Sequence, residues 1–458
     1  MFDMRRVHYW GVVVCVWLAC EASASAGSIN DAPIALIGAG EKVCQLTGDA
    51  DWATGAPTAA RTMTNFGLAA TDLGYPVEHN GRLFLLFGDT WPAPRPAQPG
   101  QDAPDDAVGV VDRLELPTPE ACLGLRININ PGTKSFAPAT IEPKGSIRQG
   151  LFNVPSGGVS VGEGLFAFFW TNHCVRPNPL QPSPDDPLAR PAPTQTCPET
   201  DAASSIGTSV LARSADAGHS FHVAAMMPIG FVYATAVNSL DLAGLPNDQR
   251  KGIYVFGAPR YRASLPYLAL APVESFANPP NWKFFIGRDA AGSPLWVSYD
   301  EWMRGAPGHG EGWNAAGSAE IVSVERPEGR CIGEFSVTWN APLRAWLMLY
   351  QCHGQVWARQ ASAPWGPWSR PTSLLDARQQ MCSLLMAPDG CGGRRDFWPN
   401  DHREGRFMAG GLYAPYVLNR YTRAAEGIAQ GATIYWLVST WNPYQVVVMR
   451  STLRLAEH

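Results

Sequence analysis

Tyr75-Pro76-Val77-Glu78-His79-Asn80-Gly81-Arg82-Leu83-Phe84-Leu85-Leu86-Phe87-Gly88-Asp89 decides the fold class. Asn80-Gly81 is a strong two-residue hairpin signal, because both turn positions need a positive φ that Asn and Gly tolerate best. Strand-forming residues on each side then predict two antiparallel strands, with Arg82–Phe87 returning. Four further clusters repeat the strand–turn–strand pattern. They are Gly157–Trp170, Phe231–Thr235 with Gly252–Gly257, Ile332–Trp339 with Arg344–Tyr350 and Gln355–Arg359, and Gly411–Leu418 with Thr433–Thr440 and Gln445–Arg450. Long amphipathic helical patterns do not occur. The five clusters predict an all-β chain, a five-bladed β-propeller of four-stranded blades. Two tandem β-sandwiches would use the same signals, since the clusters are too unlike one another for a repeat period to decide.

Upstream, Arg5 and Arg6 precede the apolar run Val12–Ala19 and small residues ending in Ala24-Ser25-Ala26. This pattern predicts a signal peptide over residues 1–26, cleaved after Ala26. The run is short for a bilayer span, and Trp17-Leu18-Ala19 is a poor approach to lipidation at Cys20, so no lipoprotein anchor is expected. Residues 27–458 are read as a single catalytic propeller domain, secreted or periplasmic, with a proline-rich insertion near 177–198. Of ten cysteines, Cys15 and Cys20 leave with the leader. The other eight suit disulfides of an exported protein, with Cys174–Cys197, Cys331–Cys352 and Cys382–Cys391 the expected local pairs. No CxxC spacing indicates a thiolate zinc site.

The 45 glycines, 40 prolines and 17 tryptophans suit many short strands joined by turns. A net charge of -5 with no Lys/Arg stripe argues against nucleic acid as a partner. Aromatic side chains and uncharged polar groups suit a neutral glycan, and a monomer is expected. No motif indicates an organic cofactor or an obligatory metal, while a structural Ca²⁺ is compatible with clustered carboxylates.

The candidate chemistry lies with acids. An uninterrupted hairpin register sets Asp72 directly across from Asp89, with Cβ atoms about 5 Å apart. Two carboxylates that close repel, and one should hold a proton. Gly74 or Pro76 could introduce a bulge that shifts this register. Glu334, opening the strand Ile332–Trp339, is a third candidate acid near the centre of a propeller. Glu163 reads as a solvated turn residue, Asp300 and Glu301 as rim groups, and Asp396 and Asp401 as part of a covering loop. Trp91, Trp302, Trp398, Tyr413 and Trp441 are candidate sugar-stacking residues, and His173 could orient a hydroxyl.

Thr71-Asp72-Leu73-Gly74-Tyr75-Pro76 followed by Phe87-Gly88-Asp89-Thr90-Trp91 resembles the bacterial DUF4185 proteins, which include the family 183 glycoside hydrolases. Ile332-Gly333-Glu334-Phe335-Ser336, Trp365-Gly366-Pro367-Trp368, Gly411–Tyr416 and Val446–Ser451 extend the resemblance over roughly residues 55–455. It implies a five-bladed propeller, endo-acting hydrolysis of D-arabinan, and an important acidic pair at Asp72 and Asp89. A non-catalytic glycan-binding propeller would keep the aromatic platform without needing the two acids close together. An envelope scaffold would need neither.

Overall fold

The computed structural model describes residues 34–92, 105–133, 135–142, 153–172, 206–259, 262, 264–305, 320–322, 331–376, 380, 384–385, 411–440 and 444–456. The leader, Cys20, the 177–198 insertion and the pairs Cys174–Cys197 and Cys382–Cys391 lie outside these residues.

The described strands form five sheets around one axis, a five-bladed β-propeller, antiparallel except where Thr140–Glu142 pairs in parallel with Ser220–Met226. The innermost strands are Leu73–His79, Asn153–Val161, Tyr233–Asn238, Phe335–Asn340 and Leu412–Val417, in blades 1 to 5. Each touches the next, and the fifth returns to the first. The Tyr75 hydroxyl bonds Thr235, and its ring meets Tyr416 edge-on at 4.9 Å. Ser336 Oγ donates to Pro415 O at 3.0 Å and accepts from Val417 N at 3.2 Å. The expected clusters coincide with the inner strands of the five blades. Helix among the described residues is short, as in Thr62–Phe66 and Tyr299–Gly305.

Blade packing explains the composition. A middle strand is covered on both faces by neighbouring blades, so it buries every residue rather than alternate ones. All ten residues of Gly431–Thr440 are buried, as are all eight of Ala345–Cys352. Aromatic rings fill the wedges between sheets. Phe284 stacks on Trp302 with centroids 5.2 Å apart, and Phe231 and Tyr267 meet Trp302 edge-on.

The ring closes through a strand with no counterpart in the five clusters. Ile34–Gln45 pairs antiparallel with Gln445–Leu455, completing blade 5 with residues from the opposite end of the sequence. Cys44 in this closing strand is bonded to Cys122 of blade 1. The expected Cys331–Cys352 bond is present in blade 4. The Cys44–Cys122 bond bridges a separation of 78 residues, so the Cys44→Ser/Cys122→Ser variant should lose about 4 kcal/mol in denaturant unfolding. Hydrogen exchange in that variant should rise most in Ile34–Gln45, the strand that the bond tethers.

Candidate active site

The inner strand of blade 1 is broken. Leu68–Ala70 and Leu73–His79 both pair with Arg82–Pro92, and Thr71 and Asp72 occupy the gap. The Asn80-Gly81 turn forms as expected, with both residues at positive φ and His79 facing Arg82. Beyond Tyr75 the register slips by one, because Leu73 (φ 59°) and Gly74 (φ 80°) are left-handed and form a bulge. Asp72 therefore faces Gly88, whose N–H donates to the Asp72 carbonyl at 3.2 Å, and Asp89 sits one position further along. The direct Asp72–Asp89 opposition is thus corrected by the bulge. The two side chains nevertheless interact, since the charge of Asp89 pushes Asp72 up.

Gly88 makes room for this arrangement. A Cβ there would lie 2.6 Å from Asp72 Oδ1, with Leu73 and Val154 also closer than contact. Thr71 and Thr90 bond across the gap at 2.7 Å and hold both segments.

Blades 4 and 5 complete the cluster. Glu334 immediately precedes the inner strand Phe335–Asn340, and Tyr413 lies within Leu412–Val417. Asp72 is 6% exposed and Glu334 4%, so both acids have lost nearly all their hydration. Tyr413 Oη donates to Asp72 Oδ2 at 2.8 Å. Asp72 Oδ1 is buried and has no hydrogen-bond partner among the described residues. Tyr444 Oη reaches Asp89 Oδ2 at 3.5 Å. Arg262 donates to Glu334 through Nη2 at 2.8 Å and Nε at 3.3 Å, and its guanidinium lies 5.2 Å from the centre of the Tyr413 ring.

Burial dominates the acid–base character. Asp72 is raised well above the ordinary carboxylate range, first by desolvation and then by Asp89, against the opposing Tyr413 hydrogen bond. Asp89 is pushed up to about 7 by its depth, offset by hydrogen bonds from Tyr444 and its own backbone. Part of the Asp89 surface stays accessible, so the depth of protein around it matters more than residual exposure. Burial also raises the Tyr413 and Tyr416 hydroxyls well above the usual phenol range, so both remain donors at neutral pH.

The other candidates separate clearly. Trp91 is 5% exposed and packs with Ala70 and Tyr444, two residues beyond Asp89. Tyr413 serves as a donor to Asp72, with Arg262 over its ring, rather than as an open stacking face. Trp302 is corrected outright. It is 0% exposed, stacks on Phe284, and spends its indole N–H on Ile229 O at 2.9 Å. Asp300 and Glu301 are not rim groups of the centre, because they begin the helix that follows the outermost strand of blade 3. Glu301 there accepts from Ser298 N at 2.8 Å. Glu163 is exposed in its turn. His173, Trp398, Trp441, Asp396 and Asp401 lie outside the described residues. Arg262 and Tyr444 are additions that loop composition alone could not single out.

Among the described residues, one group of His, Cys, Asp or Glu ligand atoms lies within metal-holding reach: Cys331, Cys352 and His353, within 4.8 Å of one another. Its two sulfurs are bonded to each other. Metal binding there would require reduction, since thiolates are the ligands, and the group contains no oxygen set suited to Ca²⁺. No helix among the described residues is long and apolar enough to cross a membrane.

A family model described as a domain of unknown function, DUF4185, matches residues 200–450, more than half of the sequence. The chain belongs to the DUF4185 family. Arg262, Glu334, Tyr413 and Tyr444 of this DUF4185 protein fall within the match, whereas Asp72 and Asp89 precede it. No curated protein matches the chain. Among solved structures, a glycosyl hydrolase from Bacteroides ovatus is 8% identical, with a TM-score of 0.39, covering 91% of this chain and 94% of its own. An exo-β-1,3-galactanase from Phanerochaete chrysosporium is 8% identical with a TM-score of 0.36, and the match covers 90% of this chain and 67% of the galactanase. A Trypanosoma rangeli sialidase mutant displaying trans-sialidase activity is 9% identical with a TM-score of 0.35, covering 91% and 59%. A second galactanase structure is spanned over 64% of its length, slightly less than two thirds.

The raised carboxyls make a signed prediction about stability. A carboxyl whose folded pKa exceeds its unfolded value stabilises the fold below the unfolded pKa, and that stability is lost as pH rises through the folded pKa. Asp89→Asn should therefore gain stability over wild type as pH rises from 4 to 8, on the order of 1 kcal/mol at the upper end. Thermal unfolding across that range measures it. An unchanged or reversed difference would mean that Asp89 is not held above its usual range.

Proposed function

We propose that this protein is an exported glycoside hydrolase that cleaves internal furanosidic bonds, with D-arabinan as its substrate. The observation that carries this reading is the adjacent Asp72–Asp89 pair, the first buried and the second partly so, in which both carboxyls are raised. Folding gains nothing from two desolvated, mutually repelling acids, whereas glycoside hydrolysis needs one protonated and one ionised carboxyl beside the scissile bond. The choice of D-arabinan rests on the resemblance carried by the Thr71–Pro76 and Phe87–Trp91 segments.

In this reading Asp72 is the acid. Its carboxyl, held through Oδ2 by Tyr413, gives a proton to the leaving glycosidic oxygen. Asp89, which stays partly accessible, is the ionised partner that attacks the anomeric carbon or activates water. Glu334 has both oxygens engaged by Arg262 and does not react. Protonation of the leaving oxygen and development of positive character at the anomeric centre occur together, so neither acid suffices alone.

The purified protein should cut D-arabinan internally and release short oligosaccharides. Asp72→Asn and Asp89→Asn should fold normally and lose at least about two orders of magnitude in turnover. kcat/KM should rise with pH through about 7 as Asp89 ionises, then fall at higher pH as Asp72 loses its proton. The anomeric configuration of the first product assigns Asp89 as nucleophile if retained and as base if inverted. Near-wild-type turnover by Asp72→Asn would overturn the assignment. Binding without turnover across D-arabinan, L-arabinan and related furanans would favour a non-catalytic glycan-binding propeller.

A further inference from the structure

We propose that Arg262, clamped by Glu334, is a positioning residue that fixes Tyr413 against Asp72 and so holds the orientation of the Asp72 carboxyl. The proposal rests on the hydrolase reading above. Three blades meet here. Arg262 comes from the loop joining the second and third strands of blade 3, Glu334 from the inner edge of blade 4, and Tyr413 from blade 5. Arg262 adopts a left-handed φ of 49°. A non-glycine residue held there stores strain that its surroundings must offset.

The surroundings are built for that side chain. Both Glu334 oxygens accept from the guanidinium, which fixes its plane. Gly333 lets the stem pass, since a Cβ there would lie 2.9 Å from Arg262 Cγ and 2.5 Å from Gln351 Oε1. Glu334 is itself anchored: Gly333 N donates to Gln351 O at 3.0 Å, and Gln351 N donates to Glu334 O at 3.1 Å. The Cys331–Cys352 bond fastens the same two segments one residue further out. Held this way, the guanidinium covers the Tyr413 ring at 5.2 Å, and the hydroxyl of that ring donates to Asp72 Oδ2. The backbone beyond the tyrosine is strained too, with Ala414 at φ 54°. Oδ2 is thereby occupied, and the carboxyl plane is fixed with Oδ1 against Gly88.

Asp72 is faced by Asp89, Glu334, Arg262, Tyr413 and Tyr416, and the signs of the charged neighbours separate positioning from simple bracing. Glu334 raises Asp72, while Arg262 and the Tyr413 hydrogen bond lower it. Arg262→Met should therefore raise the Asp72 titration, and Glu334→Gln should lower it, each by about one pH unit. A brace that only stiffened the loop would move both the same way or neither.

The titration is read by ¹³C-carboxyl NMR of aspartate-labelled protein, with the Asp72 signal assigned from Asp72→Asn, so it needs no turnover. Arg262→Met should also lower kcat on D-arabinan on the order of tenfold to a hundredfold with KM little changed. Glu334 left unpaired could prevent Arg262→Met from folding, and the double variant Arg262→Met/Glu334→Gln removes both charges together. That variant should fold and still show the reduced kcat, because Tyr413 is no longer pinned. Wild-type kcat in the double variant, or Asp72 shifts of the same sign in the two single variants, overturns the proposal. Opposed Asp72 shifts without any turnover on furanans would uphold the relay and discard the hydrolase reading alone.

Discussion

Pairing of Ile34–Gln45 with Gln445–Leu455 is the constraint on which the remaining geometry depends. An open row of blades would leave sheet edges and wedge faces unburied, and nothing would fix the distance from blade 5 to blade 1. Closure puts the inner strands of those two blades in contact, which brings Tyr413 within hydrogen-bonding distance of Asp72 across 341 residues of sequence. The closing strand then runs directly into the segment that starts blade 1. Leu46 N donates to Val446 O at 2.8 Å, and Thr47 Oγ1 meets Gln445 Oε1 at 2.9 Å. Ring closure and placement of the acids are therefore a single structural event.

Convergence of side chains follows from blade topology. Asp72 and Glu334 each stand immediately before an inner strand, Tyr413 is near the start of another, and Asp89 is near the end of a second strand. Inner-strand starts and second-strand ends open on the same face of a propeller. Left-handed φ values at Leu73, Arg262 and Ala414 occur beside Asp72, at the partner of Glu334, and beside Tyr413. At these three positions the surrounding fold must offset the strain.

The fold was legible because its strongest signals are local. Asn80-Gly81 dictates a turn whatever surrounds it, and fully apolar runs such as Leu83–Phe87 are what a strand between two blades requires. The closing strand was not legible. Ile34-Ala35-Leu36-Ile37 looks like any short apolar segment, and its partner is set by topology rather than by a neighbouring turn. Asp72 and Asp89 were visible through hairpin arithmetic, but their offset was not, because one residue of bulge depends on packing around Gly74. Trp302 shows the limit of composition: a tryptophan after two acids looks exposed, yet blade 3 needed that ring to fill the wedge beside Phe284. Arg262 carried no signal, since its meaning lies wholly in Glu334 and Tyr413.

The charge balance of the cluster now decides its resting state. The cluster holds three carboxyl groups, Asp72, Asp89 and Glu334, and the Arg262 guanidinium, from which both Glu334 oxygens accept. The remaining two acids are offset only in part, Asp72 by the Tyr413 hydrogen bond and Arg262, Asp89 by Tyr444 and its own backbone. Tyr75 is pushed up to about 12 by burial, and Tyr413 and Tyr416 are also raised. The phenols therefore donate without changing state through the neutral range, leaving the aspartates as the groups that titrate. Two such carboxyls cannot both ionise cheaply, so the pair retains one proton in common. Tyr413 donates to Asp72 Oδ2 while Oδ1 is buried without a hydrogen-bond partner among the described residues, so the geometry favours a protonated Asp72.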